Sequence, residues 1–520
     1  MLEHNHKQIN KDTADMDVLR KTDSKKLLQL RKAAYSYHLI LINYFISNIG
    51  DKAKRKMSVK KYILFFTITI IKIHGITHIP NMQSRENNLY QKDATRTENI
   101  RYILPGKLNQ SAPSGGHMFE IEQAGEYALI DNLTLSPPNT NVNGITISAS
   151  NVTLDLAGCT IIQDNTSSGL VAINIAANVS HITIKNGTIN TIYGTGIRAQ
   201  NNCSLLEIKD LIIRNCNVMG MYLTNVNQAI LTNLTIINCN GTAANDAIGL
   251  GMLTSKNITT SCSQFNNNRN TNGRPGHGIY LYACSNCLFE FCEASTNYGT
   301  TAYGFRIDSV SSNCTVLNCH AKANEATTIS YGFYVNGRYN ILKNCVSTNQ
   351  MTSGANFSYG FYTAGGQGNQ HLSCSAYGNT GGTGGGVGGV GFGINGNEKY
   401  SSMKQCISNA NFGNTGASGN GIGILIFSGS QNCSFDQNQL VNNKGPSSGY
   451  GILDLNTLST NVFTRNFAYG NGNSAGTTFN NYVVNPAPSG SLPVLLGNLN
   501  NYATFSSYYG LDLYNIEIRA

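Results

Sequence analysis

Only 12% of the 520 residues are Asp, Glu, Lys or Arg, so ionisable side chains that recur near one another stand out. Gly276-His277-Gly278 is followed, 29 residues on from the histidine, by Arg306-Ile307-Asp308, and Asn245-Asp246 lies shortly before it. An imidazole, two carboxyls and a guanidinium can move a proton and hold an anion. Tyr222, Tyr280, Tyr282, Tyr334 and Tyr362, with Arg198 and Asn336, add aromatic faces beside planar hydrogen-bonding groups. That combination suits a sugar ring, whose C–H face stacks and whose hydroxyls need donors and acceptors. Two plainer readings compete: exposed Tyr columns also stabilise neighbouring strands, and a histidine between glycines is equally at home in a turn. Any joint chemistry requires residues some 30 positions apart to be neighbours in space.

A repeat supplies that neighbourhood. ITISASNVTLDLAGCTI from Ile145 returns as INIAANVSHITIKNGTI from Ile173, and again, worn, around Leu206. Each unit opens at a small anchor: Gly144, Ala172, Gly196, Gly220, Gly249, Gly278, Gly304, Gly332, Gly360, Gly391, Gly421 and Gly451, spaced 24 to 31 residues apart. Within a unit, runs such as GIYLY, GFRID and GFYVN alternate with period two, broken by Asn, Gly and Ser. Such alternation means strands with one buried face, and Asn suits turns that need left-handed backbone. Several short strands per unit, stacked on like neighbours, give a parallel β-helix; the leucine consensus of leucine-rich repeats is missing. About twelve coils at ~4.8 Å make a rod of roughly 55 to 60 Å. The residue after each anchor points inward and the next outward, which places Thr146, Asn174, Arg198, Tyr222, Gly251, Tyr280, Arg306, Tyr334, Tyr362, Gly393, Gly423 and Leu453 in one outward column. Tyr282, Asp308 and Asn336 form a partial second column.

Composition agrees. With 54 Gly, no Trp and 41% apolar residues, the chain is too apolar for disorder, and its Gly, Asn, Ser and Thr disfavour a helical bundle. Of the formal charge of +9, all but one unit lies in residues 1–61, which hold 14 basic against 6 acidic residues and leave 22 against 21 elsewhere. The neutral body has no basic stripe, which excludes nucleic acid as a partner.

NGITISASNVTLDLAGCTI, preceded by GEYALIDNLTL from Gly125, resembles the opening coils of right-handed parallel β-helix repeat proteins of the pectin-lyase-like superfamily, in particular carbohydrate-binding and sugar-hydrolase β-helix domains and NosD-like periplasmic proteins. The resemblance spans about residues 113–480. It implies an all-β, single-stranded right-handed parallel β-helix with N- and C-terminal caps and a glycan polymer as partner. Polygalacturonase-type members carry clustered aspartates, a GHG and an RIK on successive coils. Here Gly276-His277-Gly278 and Arg306-Ile307-Asp308 match in part, but Asp308 replaces the lysine and an NTD-like motif is missing. Glycoside hydrolysis uses two carboxylates about 5 to 9.5 Å apart; Asp308 is one candidate and Asp246 the other, with His277 assisting and Arg306 holding a uronate carboxylate. Enzyme status stays open. So do a non-catalytic adhesion or structural rod and, with less support, a NosD-like periplasmic accessory protein.

The 14 cysteines all fall between Cys159 and Cys433. Cys262, Cys292, Cys319, Cys345, Cys374 and Cys406 lie 13 to 15 residues after their anchors and should stack as small core residues, although disulfides between coils are compatible with the spacing. The Cys284–Cys287 pair, with His277 and Cys292 nearby, only loosely resembles a zinc site, and no metal or other cofactor is expected. Met57 to Gly75 has the charged and apolar regions of an export signal. Residues 1–56 are then either spurious upstream sequence or part of an anchor, the one route to a membrane; a third reading makes both apolar runs amphipathic helices. The expected organisation is an upstream segment 1–56, a signal 57–80, a linker 81–112, the β-helix 113–480 and a C-terminal cap or module 481–520. The protein is expected to be exported: secreted, periplasmic or on the cell surface. The glycine tract Gly378 to Gly393 lacks the Lys-Ser or Lys-Thr of a phosphate loop and reads as a long turn.

Overall fold

The computed structural model describes residues 100–484 apart from short internal segments, and the strands Val494–Leu496, Leu499–Asn500 and Ile516–Glu517. The upstream segment, the export signal, residues 81–99 of the linker and most of the C-terminal module lie outside the described residues. Ile100–Ile103, inside the stretch read as linker, is already a strand and pairs in parallel with Gly125–Leu129.

The chain winds as a right-handed parallel β-helix. Among the described residues one sheet has 15 strands and a second, folded around the rest of the coil, has 27. Successive strands of the first, or front, sheet include Ala247–Leu253, Gly276–Tyr282, Tyr298–Ile307, Glu325–Val335 and Ser358–Thr363, each in parallel register with the next. His117–Ile121 and Asn480–Val484 extend this sheet by one strand beyond the first and last anchors.

The anchor glycines sit where each front strand bends. Gly304 and the following Phe305 both face inward: a Cβ on Gly304 would lie 2.6 Å from the Gly332 carbonyl oxygen and 2.8 Å from Ala321 Cβ, and Phe305 is in the core. Bulk on the anchor is thus excluded by the next coil. Phe305, Phe333, Phe361 and Phe392 stack inside with ring centroids 4.8 Å apart, the coil rise itself. The eleventh coil departs from the expected register. Phe392 pairs with Ile424 and Gly393 with Leu425, so Gly423, rather than Gly421, is the anchor of the eleventh coil, and Leu425 takes the column place expected for Gly423. The last part of the glycine tract, Gly389–Ile394, is likewise a front strand rather than turn.

A second interior ladder is polar. Asn268, Asn297, Asn324, Gln350, Asn379, Asn411, Asn443 and Asn471 succeed one another, with amide contacts such as Asn297 Nδ2 to Asn324 Oδ1 at 2.9 Å and Asn411 Nδ2 to Asn443 Oδ1 at 2.7 Å. Each amide also accepts from a backbone N–H of the preceding coil, which satisfies groups the corner would otherwise orphan.

The 14 cysteines are free, twelve of them buried. Cys292, Cys319, Cys345, Cys374 and Cys406 form the expected ladder. Cys262 does not join it: Gln264 pairs with Glu293, so Ser263 lies over Cys292, and Cys262 is exposed in a left-handed turn at φ 49°. Cys284 and Cys287 are core residues, whereas His277 projects from the outer face. They cannot share a metal, and no cluster of three potential ligands occurs among the described residues.

Candidate functional site

The outward column forms in register from Thr146 through Asn174, Arg198, Tyr222, Gly251, Tyr280, Arg306, Tyr334 and Tyr362 to Gly393. Its glycines have a use. A Cβ on Gly251 would lie 3.1 Å from the ring of Tyr222, and one on Gly393 2.7 Å from that of Tyr362. Each tyrosine therefore rests against the glycine of the following coil, and both are half-buried.

Six of the expected residues converge on the fifth to eighth coils. Arg306 Nη2 donates to Asp308 Oδ2 at 2.6 Å, and the Tyr280 hydroxyl donates to the same oxygen at 3.4 Å. The guanidinium carbon lies 4.8 Å from the ring centroids of both Tyr280 and Tyr303, and 5.9 Å from that of Tyr334. Burial lowers the Arg306 pKa, but the surrounding phenols and Asp308 outweigh it and leave it above the usual value. This is a cation caged by π faces and held by one carboxylate.

His277 is fully buried in the strand Gly276–Tyr282, not in a turn. Its ring stacks on Tyr303 at 4.9 Å and on Tyr280 at 5.2 Å, and its Nε2 is 3.3 Å from Asp246 Oδ2. Burial raises the Asp246 pKa, yet the hydrogen bond and charge of His277, with Arg274 and Arg306, more than offset this and hold it below its usual value. Burial likewise depresses His277, against the pull of Asp246. An ionised Asp246 can only accept, so Nε2 carries the proton and a neutral ring keeps its lone pair on Nδ1. That nitrogen is buried and without a hydrogen-bond partner among the described residues.

The other expected residues stand apart from this cluster. Arg198, three coils earlier, donates to the side-chain oxygens of Asn174 at 3.0 Å and Asn143 at 3.2 Å. Tyr222 lies one coil after it, and Tyr362 follows Tyr334 with ring centroids 5.8 Å apart. Tyr282 is 40% exposed at the edge of the sheet, and Asn336 is half-buried beside Tyr334.

The sequence reading missed one column. Tyr303, Tyr331 and Tyr359, each just before an anchor glycine, stack at 5.2 and 5.4 Å on the outer face. With Val390, Ile422 and Leu425 they form a second apolar cluster outside the coil, against which Tyr334 and Tyr362 pack. The signal was present in the recurring YGF at positions 303, 331 and 359. It was hidden by the bend, because two consecutive inward residues, Gly and Phe, return the outward parity on the far side of the glycine.

Residues 172–354 match the family model described as right handed beta helix region. No curated protein matches. Among solved structures, the chain is similar to a protein of Geobacillus virus E2 (17% identity, 52% of this chain and 54% of that one, TM-score 0.37). It is also similar to the Dettilon tailspike protein (11%, 64% and 66%, 0.39) and to the mannuronan C-5 epimerase A-module of Azotobacter vinelandii (11%, 72% and 90%, 0.39). The chain spans about half the length of the first of these. The matched coils continue in the same register on both sides, so the described strands form one right-handed parallel β-helix.

Proposed function

We propose that this is an exported protein that binds a carbohydrate polymer along the front sheet, between Tyr222 and Tyr362. The observation that carries the reading is the register of Tyr280, Arg306, Tyr334 and Tyr362 on four successive coils, with the rings of Tyr222 and Tyr362 resting against glycines of the coils that follow them. Tyrosine rings repeated coil by coil, with Arg306 in the same column and Asp308 and Asn336 beside it, offer apolar contact and hydrogen bonding at successive steps of an extended glycan.

Cleavage is the second reading, favoured by the buried His277–Asp246 pair and its unpartnered Nδ1. Asp308 would act as general acid or base, His277 would assist and Asp246 would supply the second carboxylate. Arg306, already paired with Asp308, holds that carboxyl in place. The test is native electrophoresis in gels cast with laminarin, dextran, galactomannan, alginate or polygalacturonate, with assays of the same polymers for new reducing ends or unsaturated products. Retardation by at least one polymer, lost in Tyr280→Ala/Tyr334→Ala, supports binding. Turnover abolished by Asp308→Ala and by His277→Ala supports cleavage there, and turnover indifferent to both removes the catalytic assignment.

A further inference from the structure

We infer a second glycan-binding platform, at the corner where the front sheet turns into the second sheet, formed by Tyr339 and Tyr400. Positions 256, 285, 312, 338, 367, 399 and 431 bridge in parallel from coil to coil at this corner. The residue after each has left-handed backbone: Asn257, Asn286, Asn313, Tyr339, Gly368, Tyr400 and Asn432 have φ of 58°, 55°, 56°, 57°, 67°, 57° and 55°. Asn is the side chain that tolerates this conformation best; a bulky aromatic there is an outlier. His181, Leu205 and Gln228 also take left-handed φ at the corner in the first coils, but only at the eighth to tenth coils are two aromatics placed either side of a glycine. The Tyr339 ring lies across Gly368, where a Cβ would come within 2.7 and 2.8 Å of its carbons. The ring is therefore held against Gly368, and Tyr339 and Tyr400 remain 52% and 58% exposed.

The surroundings select the ligand. Arg338 and Lys399, next to the rings in the chain, are exposed, and Gln367 stands between them on the intervening coil. Two separate aromatic faces, two coil rises or about 10 Å apart, set among charged and amide groups, do not make the contiguous apolar patch that a protein partner buries. They match hexose rings, with apolar faces to stack and hydroxyls to receive hydrogen bonds. This corner is distinct from the Tyr280–Tyr362 column, so the platform can fail while the front-sheet reading stands.

The test uses the turn's own preference. Tyr339→Asn/Tyr400→Asn installs the residue that other coils carry, so the thermal midpoint of the full-length protein should stay the same or rise. Gly368→Asn keeps a tolerated left-handed residue but displaces the Tyr339 ring. Both variants should lower retardation in the polymer gels by about three- to tenfold. Unchanged retardation overturns the platform, as does a lowered thermal midpoint in Tyr339→Asn/Tyr400→Asn, which makes the rings structural. Self-association seen by sedimentation and lost in that variant assigns the rings to a second copy of the chain instead. Loss of retardation in Tyr280→Ala/Tyr334→Ala alone leaves only the front-sheet reading, and wild-type protein that no polymer retards contradicts both.

Discussion

His371 lies inside the coil stack, in register with Leu342 and Met403, its Nε2 sharing a 2.8 Å hydrogen bond with Thr363 Oγ1 and its Nδ1 without a partner among the described residues. Burial lowers its pKa to about 4 from the usual 6.5. The unfolded chain therefore takes up a proton first as pH falls. The stability of the neutral form is fully present above about pH 6.5 and is lost progressively towards pH 4, on the order of 3 kcal/mol. Urea midpoints across that window should fall steeply in the wild type and less steeply in His371→Met; equal slopes would remove the assignment. Thiol chemistry separates residues by position in the same way. Ellman's reagent should modify exposed Cys262 quickly, half-buried Cys159 more slowly, and the twelve buried thiols only on unfolding. Cys262→Ser should therefore abolish the fast phase, whereas a fast phase of several thiols would contradict the core ladder. Residue identity alone misassigned Cys262, because a ladder position and the turn residue before it differ by one place.

At the scale of the element, the strand-and-corner repeat was legible because its cause is local: a small residue at the bend, an apolar residue after it and Asn at left-handed turns. The outward column followed from that rule down to Gly393 and slipped only at the eleventh coil, where the register step from Gly391 to Gly423 is longer than the anchor spacing assumed. The interior amide ladder and the Tyr303–Tyr331–Tyr359 column were not legible, since neither follows from a uniform two-residue alternation. Nor did spacing reveal that Arg306 and Asp308, the latter just past the end of the strand, pair with each other. Asn324 tests the amide ladder. Its Oδ1 accepts from the backbone N–H and the side chain of Asn297, at 3.1 and 2.9 Å, and its Nδ2 donates to Gln350 Oε1 at 3.0 Å. Asn324→Ala orphans the buried backbone N–H of Asn297 and removes one of the two hydrogen bonds that Gln350 Oε1 accepts from residue 324, and should cost about 2 kcal/mol. A urea midpoint close to that of wild type would show that the ladder contributes little.

For the whole molecule, the solenoid converts a sequence repeat of about 28 residues into a surface repeat of ~4.8 Å, so a ligand that is itself a repeating polymer meets the same kind of surface at each step. Tyr280, Arg306, Tyr334 and Tyr362 occupy four successive steps, a span of about 14 Å, and the account therefore predicts a binding site counted in sugar units rather than a single pocket. Calorimetric titration with an oligosaccharide series cut from whichever polymer retards the protein is the most direct measure of that claim. Affinity should rise with each unit up to about four or five and then level off, and Tyr334→Ala/Tyr362→Ala should weaken the longer oligosaccharides about tenfold or more while leaving the far-ultraviolet circular dichroism unchanged. Affinity independent of length, or identical in wild type and that variant, would contradict a glycan bound along the front sheet.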